Sequence, residues 1–135
     1  MEIINRKAKF EFSFLDSYTA GIVLSGIEVK FIRDGRLSFA DSFCQFQNGE
    51  LFLKNVSISG IGNDNEKKDR KLLLKKKELN KIQRALIDSI TIVPYSIFTN
   101  DRGLFKVEIK IAKGKKLYDK RETIKKRDLE RETRY

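Results

Sequence analysis

Lysine and arginine carry most of the chemistry this sequence can offer. They number 29 against 19 aspartates and glutamates, a formal net charge of +10 over 135 residues. They also gather. Arg6, Lys7 and Lys9 follow Asn5, and Lys67, Lys68, Arg70, Lys71, Lys75, Lys76 and Lys77 crowd a second stretch. Lys113, Lys115, Lys116, Lys120 and Arg121 form a third. Lysine offers phosphate a point charge, while arginine adds a planar fork that also stacks on bases. Tyr118 lies inside the third cluster, and a ring among cations suits RNA. Each cluster alone also fits a solvated surface; three in one short chain favour a polyanionic partner.

Catalytic chemistry is poorly supplied. The chain has no histidine, which removes every triad and metal site that needs imidazole. No G-x-x-x-x-G-K-S/T or G-x-G-x-x-G pattern occurs, and Lys113-Gly114-Lys115-Lys116 lacks a loop to wrap a phosphate. The carboxylates are scattered among lysines, whose charge lowers rather than raises a carboxyl pKa. The lone Cys44 reads as a small packed side chain and leaves no internal disulfide or thiol cluster to form. No enzyme activity, metal or cofactor is expected. Residues 1–6 lack a signal-peptide pattern, and no apolar run approaches the ~18–20 residues of a membrane span. A cytoplasmic chain without membrane attachment is the expectation.

These cations must be positioned by a scaffold, and its pattern is mainly β. Residues 9–14 alternate, placing Phe10, Phe12 and Phe14 on one strand face, read as barrel core in preference to a base-stacking platform. Residues 20–24 form a second, deeper strand. Residues 27–33 follow as a short helix with Val29, Ile32 and Phe31 inward, ended by Asp34-Gly35. Asn48-Gly49 joins strands 43–47 and 50–56 through a type I′ turn. Residues 57–69 read as a mobile loop. A helix over residues 75–89 buries Leu79, Ile82, Leu86 and Ile90 as one stripe. Strands 91–99 and 104–112 close the body around the turn 100–103, and Pro94 marks an edge or a bulge. After Ala112 the apolar residues form no helical stripe, though opposite charges recur at i,i+4. The expected architecture is mainly β with short helices: an OB-like antiparallel barrel over residues 1–117, and a basic tail over 118–135, disordered when free and helical when bound.

The clusters sit within longer runs of specific sequence. These are Asn5-Arg6-Lys7-Ala8, Ala20-Gly21-Ile22-Val23-Leu24, Gly26 with Glu28-Val29-Lys30, Asp41-Ser42, Asn48-Gly49-Glu50 and Arg70-Lys71-Leu72-Leu73-Leu74. The last and longest is Ala112-Lys113-Gly114-Lys115-Lys116-Leu117-Tyr118-Asp119-Lys120-Arg121. In order and spacing they resemble the small protein B (SmpB) family, the tmRNA- or SsrA-binding proteins of bacterial trans-translation. The resemblance implies an OB-like barrel that grips the tRNA-like domain of tmRNA and enters stalled ribosomes with it. It also implies a tail that folds in the empty mRNA channel of the small subunit, against its rRNA. On that resemblance Asn5, Arg6, Lys7, Glu28, Arg33, Arg70, Lys71, Lys113, Lys115 and Lys116 are RNA-facing. Tyr118, Asp119, Lys120 and Arg121 serve the decoding centre and the tail. The sequence departs from the family at residues 63–68, where histidine and proline are usual, and at Thr19, which replaces a common glutamate.

The expected function is therefore a non-enzymatic adaptor that carries tmRNA to stalled ribosomes. A cold-shock-type RNA chaperone would need no tail, and a structural ribosomal protein would stay on its subunit regardless of stalling. A membrane-surface protein would need an amphipathic helix with a bulky apolar face, which is absent from the pattern. Nothing in the sequence demands more than a monomer.

Overall fold

The computed structural model describes residues 1–62, 68–87 and 89–114, within which nine strands and three helices follow one another. They are β1 (Glu2–Ile4), α1 (Arg6–Glu11), β2 (Phe12–Ile22), α2 (Gly26–Arg33), β3 (Leu37–Ser38), β4 (Phe43–Gln47), β5 (Glu50–Lys54), β6 (Ser57–Ile58), β7 (Arg70–Leu73), α3 (Lys76–Ala85), β8 (Ile90–Thr99) and β9 (Phe105–Gly114). Strands β8, β4, β5, β7, β2 and β9 pair antiparallel in that order, and β9 pairs back onto β8. Six strands thus close the expected OB-like barrel. β1 extends the edge of β8, and β3 with β6 makes a separate ribbon.

Local chemistry explains the connections. Asn48 and Gly49 both take positive φ, +53° and +77°, so β4 and β5 join through a tight turn that matches strand twist. At the β8–β9 turn the Asn100 side chain accepts from the N–H groups of Arg102 and Leu104, each at 3.0 Å, and Gly103 turns at φ +76°. Gly35, at φ +76°, ends α2. Inside the ring, Ala20, Ile32, Leu51, Val56, Ile58, Ile82, Val107 and Ile109 are wholly buried. β9 alternates as its pattern implies: Phe105, Val107, Ile109 and Ile111 face in, and Lys106, Glu108 and Lys110 face out.

Several sequence expectations are corrected. The run 9–14 is not one strand: Phe10 belongs to α1, and β2 starts at Phe12 and continues unbroken to Ile22. Phe12 and Phe14 do not face the barrel core. Between Phe14 and Asp16 the register with β9 slips by one residue, so the inward face passes to Tyr18, Ala20 and Ile22. Phe12 and Phe14 instead pack outside, with Ala8 of α1, Val93, Tyr95 and Ala112. A one-residue bulge inverts parity, and alternation alone cannot reveal it. Pro94 does mark a bulge, between Pro94 and Ser96. Residues 57–58 are strand rather than loop, and residues 70–73 pair with both β5 and β2. The helix expected to reach Ser89 ends at Ala85, because Ile90 pairs with Lys113 at the start of β8. Residues 63–67 and the whole expected tail lie outside the described residues.

Candidate nucleic-acid interface

Folding divides the charged candidates into those it consumes and those it leaves in solvent. Glu28 and Arg70 are consumed. Ser25-Gly26-Ile27-Glu28 is a capping box: Ser25 Oγ accepts from the Glu28 N–H at 3.3 Å, and Glu28 Oε1 accepts from the Ser25 N–H at 3.0 Å. The other carboxylate oxygen takes a hydrogen bond from Arg70 Nε, and Lys68 Nζ stands 3.1 Å from Oε1. Arg70 Nη1 also donates to the carbonyls of Val56 and Lys68, both at 3.1 Å. Glu28 is 1% and Arg70 2% exposed. Burial pushes the Glu28 carboxyl up, but hydrogen bonds from Ser25, Arg70 and Lys68 outweigh it and hold the pKa at about 2. Neither side chain has surface to offer a phosphate. Together they lock α2 to the start of β7 and so position Arg33. The S-x-x-E spacing was the sequence signal for this role; nothing local marked Arg70 as its partner.

Asn5 is also committed. Its Nδ2 donates to the Pro94 carbonyl at 2.8 Å and its N–H to the Tyr95 carbonyl at 2.7 Å, which pins α1 to the bulge of β8. The side chains it positions, Arg6 and Lys7, are exposed beside the segment that carries Phe39 and Ala40, around a hollow of about 320 Å³. Lys71 is half-buried and paired with Glu50 at 2.9 Å. Lys113 stands exposed near the end of β9, opposite Ser13. Lys115, Lys116, Tyr118, Asp119, Lys120 and Arg121 lie outside the described residues.

Arg33 is exposed at the C-terminal end of α2, where a cation also suits the helix dipole. It borders a groove of about 420 Å³ with Gly21, Leu73, Leu104 and Lys106. Leu73 and Leu104 are 51% and 56% exposed there, an apolar floor between two cations. A Cβ on Gly21 would approach Leu73 Cβ to 3.2 Å and Lys106 Nζ to 3.7 Å, so the missing side chain keeps the groove open. The sequence showed Lys106 only as the polar half of an alternating strand, and Leu73 only as part of an apolar run. By contrast, Lys110 is held between the Tyr95 and Phe14 rings, at 5.0 and 5.6 Å from their centroids, and 3.0 Å from Glu108.

Among the described residues no group of three or more His, Cys, Asp or Glu is placed to hold a metal ion. Cys44 is buried, and desolvation raises its thiol pKa well above the ordinary value. No helix among them is long and apolar enough to cross a membrane. Among the described residues the surface offers exposed cations and, at Leu73 and Leu104, an apolar floor.

Comparison with known proteins gives this surface a context. A SsrA-binding protein from Christiangramia forsetii is 51% identical, covering 97% of this chain and 87% of its own length. One from Bacteroides thetaiotaomicron is 49% identical, covering 98% and 92%. A solved structure described as "tmRNA-SmpB: a journey to the center of the bacterial ribosome" superimposes with a TM-score of 0.71 at 38% identity, over 86% of this chain and 85% of that one. The SmpB protein family model matches residues 2–135, and the chain belongs to that family.

Proposed function

We propose that this chain is a tmRNA-binding adaptor that delivers tmRNA to stalled ribosomes for trans-translation. The observation that carries this reading is the family match over residues 2–135, which takes in both the barrel and the basic run beyond it. The surface cations support it: exposed Arg6 and Lys7 on α1, exposed Arg33 and half-buried Lys106 around the groove, and exposed Lys113 at the end of β9. We assign phosphate contacts to these side chains, extended by Lys115 and Lys116. Residues 1–117 act as the RNA-binding body. Residues 118–135 act as the tail, in which Tyr118, Asp119, Lys120 and Arg121 serve accommodation at the decoding centre. Glu28, Arg70 and Asn5 act as positioning residues, and Lys71 is tied to Glu50 until RNA competes for it. The protein carries out no chemical step of its own and works as a monomer in the cytoplasm, beside the ribosome.

Recognition on this reading depends on the shape of a folded RNA and on its phosphates, not on base edges. The test is a titration with the tRNA-like domain of tmRNA, using an ordinary tRNA and an unstructured RNA of equal length as competitors. Preference for the tRNA-like domain is the expected result. Equal binding to all three would leave a generic basic RNA binder and overturn the proposal.

A further inference from the structure

A second concavity carries more cations than the groove at Arg33. β2 pairs with β9 along its length but with β7 only at Gly21 and Ile22, so among the described residues its other edge has no strand partner before that point. α3 lies near this open edge, with Ile82 in the core and Leu79 packed against it. Between them runs a cleft of about 630 Å³ lined by Tyr18, Lys75, Lys77, Lys81, Arg84 and Glu78.

Four cations face one carboxylate there, and that carboxylate is already engaged: Glu78 Oε1 accepts the Lys75 N–H at 3.1 Å, capping α3. Among the described residues no carboxylate lies within ion-pair distance of Lys75, Lys77, Lys81 or Arg84, whereas Lys54, Lys68, Lys71 and Lys110 on the barrel are all paired. Lys77, Lys81 and Arg84 recur at i, i+4 and i+7, so they share one helix face over about 10 Å. Like charges at that spacing destabilise a helix unless something neutralises them. The Tyr18 phenol is pushed to higher pKa by burial, by the charge of Asp16 and its hydrogen bond to that carboxylate, and by Glu78, so its hydroxyl is held by Asp16 and its ring forms the wall of the cleft.

We propose that this cleft binds an unpaired or looped stretch of RNA, its phosphates tracking Lys77, Lys81 and Arg84 and Tyr18 presenting its ring edge. The inference rests on the RNA-binding reading only for the class of ligand; the surface is distinct from the groove at Arg33. An extended peptide adding to the open edge of β2 is the competing occupant. That edge is poorly suited to it: the register slips at residues 14–16, and the Ser17 N–H is already taken by Asp16 Oδ1 at 2.8 Å.

The test maps amide and Tyr ring resonances of the full chain while titrating an unstructured RNA of about 15 nucleotides. A parallel titration uses an acidic peptide of similar length. The variant is Lys77→Gln/Lys81→Gln/Arg84→Gln, all three side chains being exposed, with its amide spectrum as the check on folding. The expected result is RNA-induced shifts on α3 and Tyr18. The variant should lower the slope of log K against log salt by about 2, three contacts at ~0.7 each for a single strand. RNA shifts that avoid α3, an unchanged slope in the folded variant, or α3 shifts with the peptide but not the RNA would each overturn it. Preference for the tRNA-like domain is measured separately. Its loss with α3 shifts intact would sink the adaptor reading and leave this inference standing; the reverse pattern would do the opposite.

Discussion

Arg70 and Arg33 sit on elements joined by one ion-pair network, yet folding gives them opposite fates. Arg70 is 2% exposed, bonded to Glu28 and to two backbone carbonyls. Arg33, five residues beyond Glu28 on the same helix, stands in solvent at the rim of an apolar-floored groove. The first arginine holds the barrel and the second is held by it. A basic run in sequence therefore mixes two kinds of charge, those that satisfy carboxylates inside the fold and those left for a partner. In the stretch from residue 68 to 77 both occur: Lys68 and Arg70 go to Glu28, Lys71 goes to Glu50, and Lys75, Lys76 and Lys77 remain exposed.

The sharpest way to break this contrast is to remove Arg70. Arg70→Met leaves Glu28 buried with only Lys68 and the Ser25 cap, and losing one partner of a buried pair costs about 3–5 kcal/mol. Urea denaturation followed by circular dichroism should show that loss. The double variant Glu28→Gln/Arg70→Met should lose less than the sum of the singles, because no charge is then stranded. Additive losses would mean that the two side chains do not stabilise each other.

A smaller effect of the same network appears in acid. Folded Glu28 titrates at about 2 and its unfolded reference is 4.5. Between those values the unfolded chain binds more protons, so its contribution to stability is complete above about pH 4.5 and fades as pH falls towards 2. A shift of this size corresponds to roughly 3 kcal/mol. Stability measured from pH 6 to 2 should decline in that window, and Glu28→Gln should flatten the decline while lowering stability at neutral pH. An unchanged acid profile in the variant would assign the acid sensitivity to other carboxylates.

The sequence made some of this legible. Asn48-Gly49 defined its hairpin because a type I′ turn needs two positive φ angles, and residues 105–111 alternated because one face of β9 is wet. What it hid depended on non-local pairing. Phe12 and Phe14 change face through a bulge that only the partner strand β9 defines, and Ile90 leaves its helical stripe because Lys113 claims it. The candidate surface divides the same way. The identity of the cations was readable from the start. Which of them would be consumed depended on Glu28, 42 residues away from Arg70, and on Glu50, 21 residues away from Lys71.

The complementary perturbation is to discharge the exposed side of the comparison. Arg33→Gln/Lys106→Gln removes two cations from the groove without touching a described ion pair or the core. Surface changes of this kind stay within about 0.5 kcal/mol of the parent stability, so the urea midpoint should barely move. Binding should respond instead. If both side chains meet phosphate, the slope of log K against log salt for the tRNA-like domain falls by about 2, since each released counterion contributes ~0.9 on a duplex. Affinity then drops most at low salt, where counterion release is worth most. A stability loss with an unchanged slope would reverse the assignment and make Arg33 a brace like Arg70. A lower slope at unchanged stability would establish that residues one helix apart in the fold do opposite work with the same guanidinium.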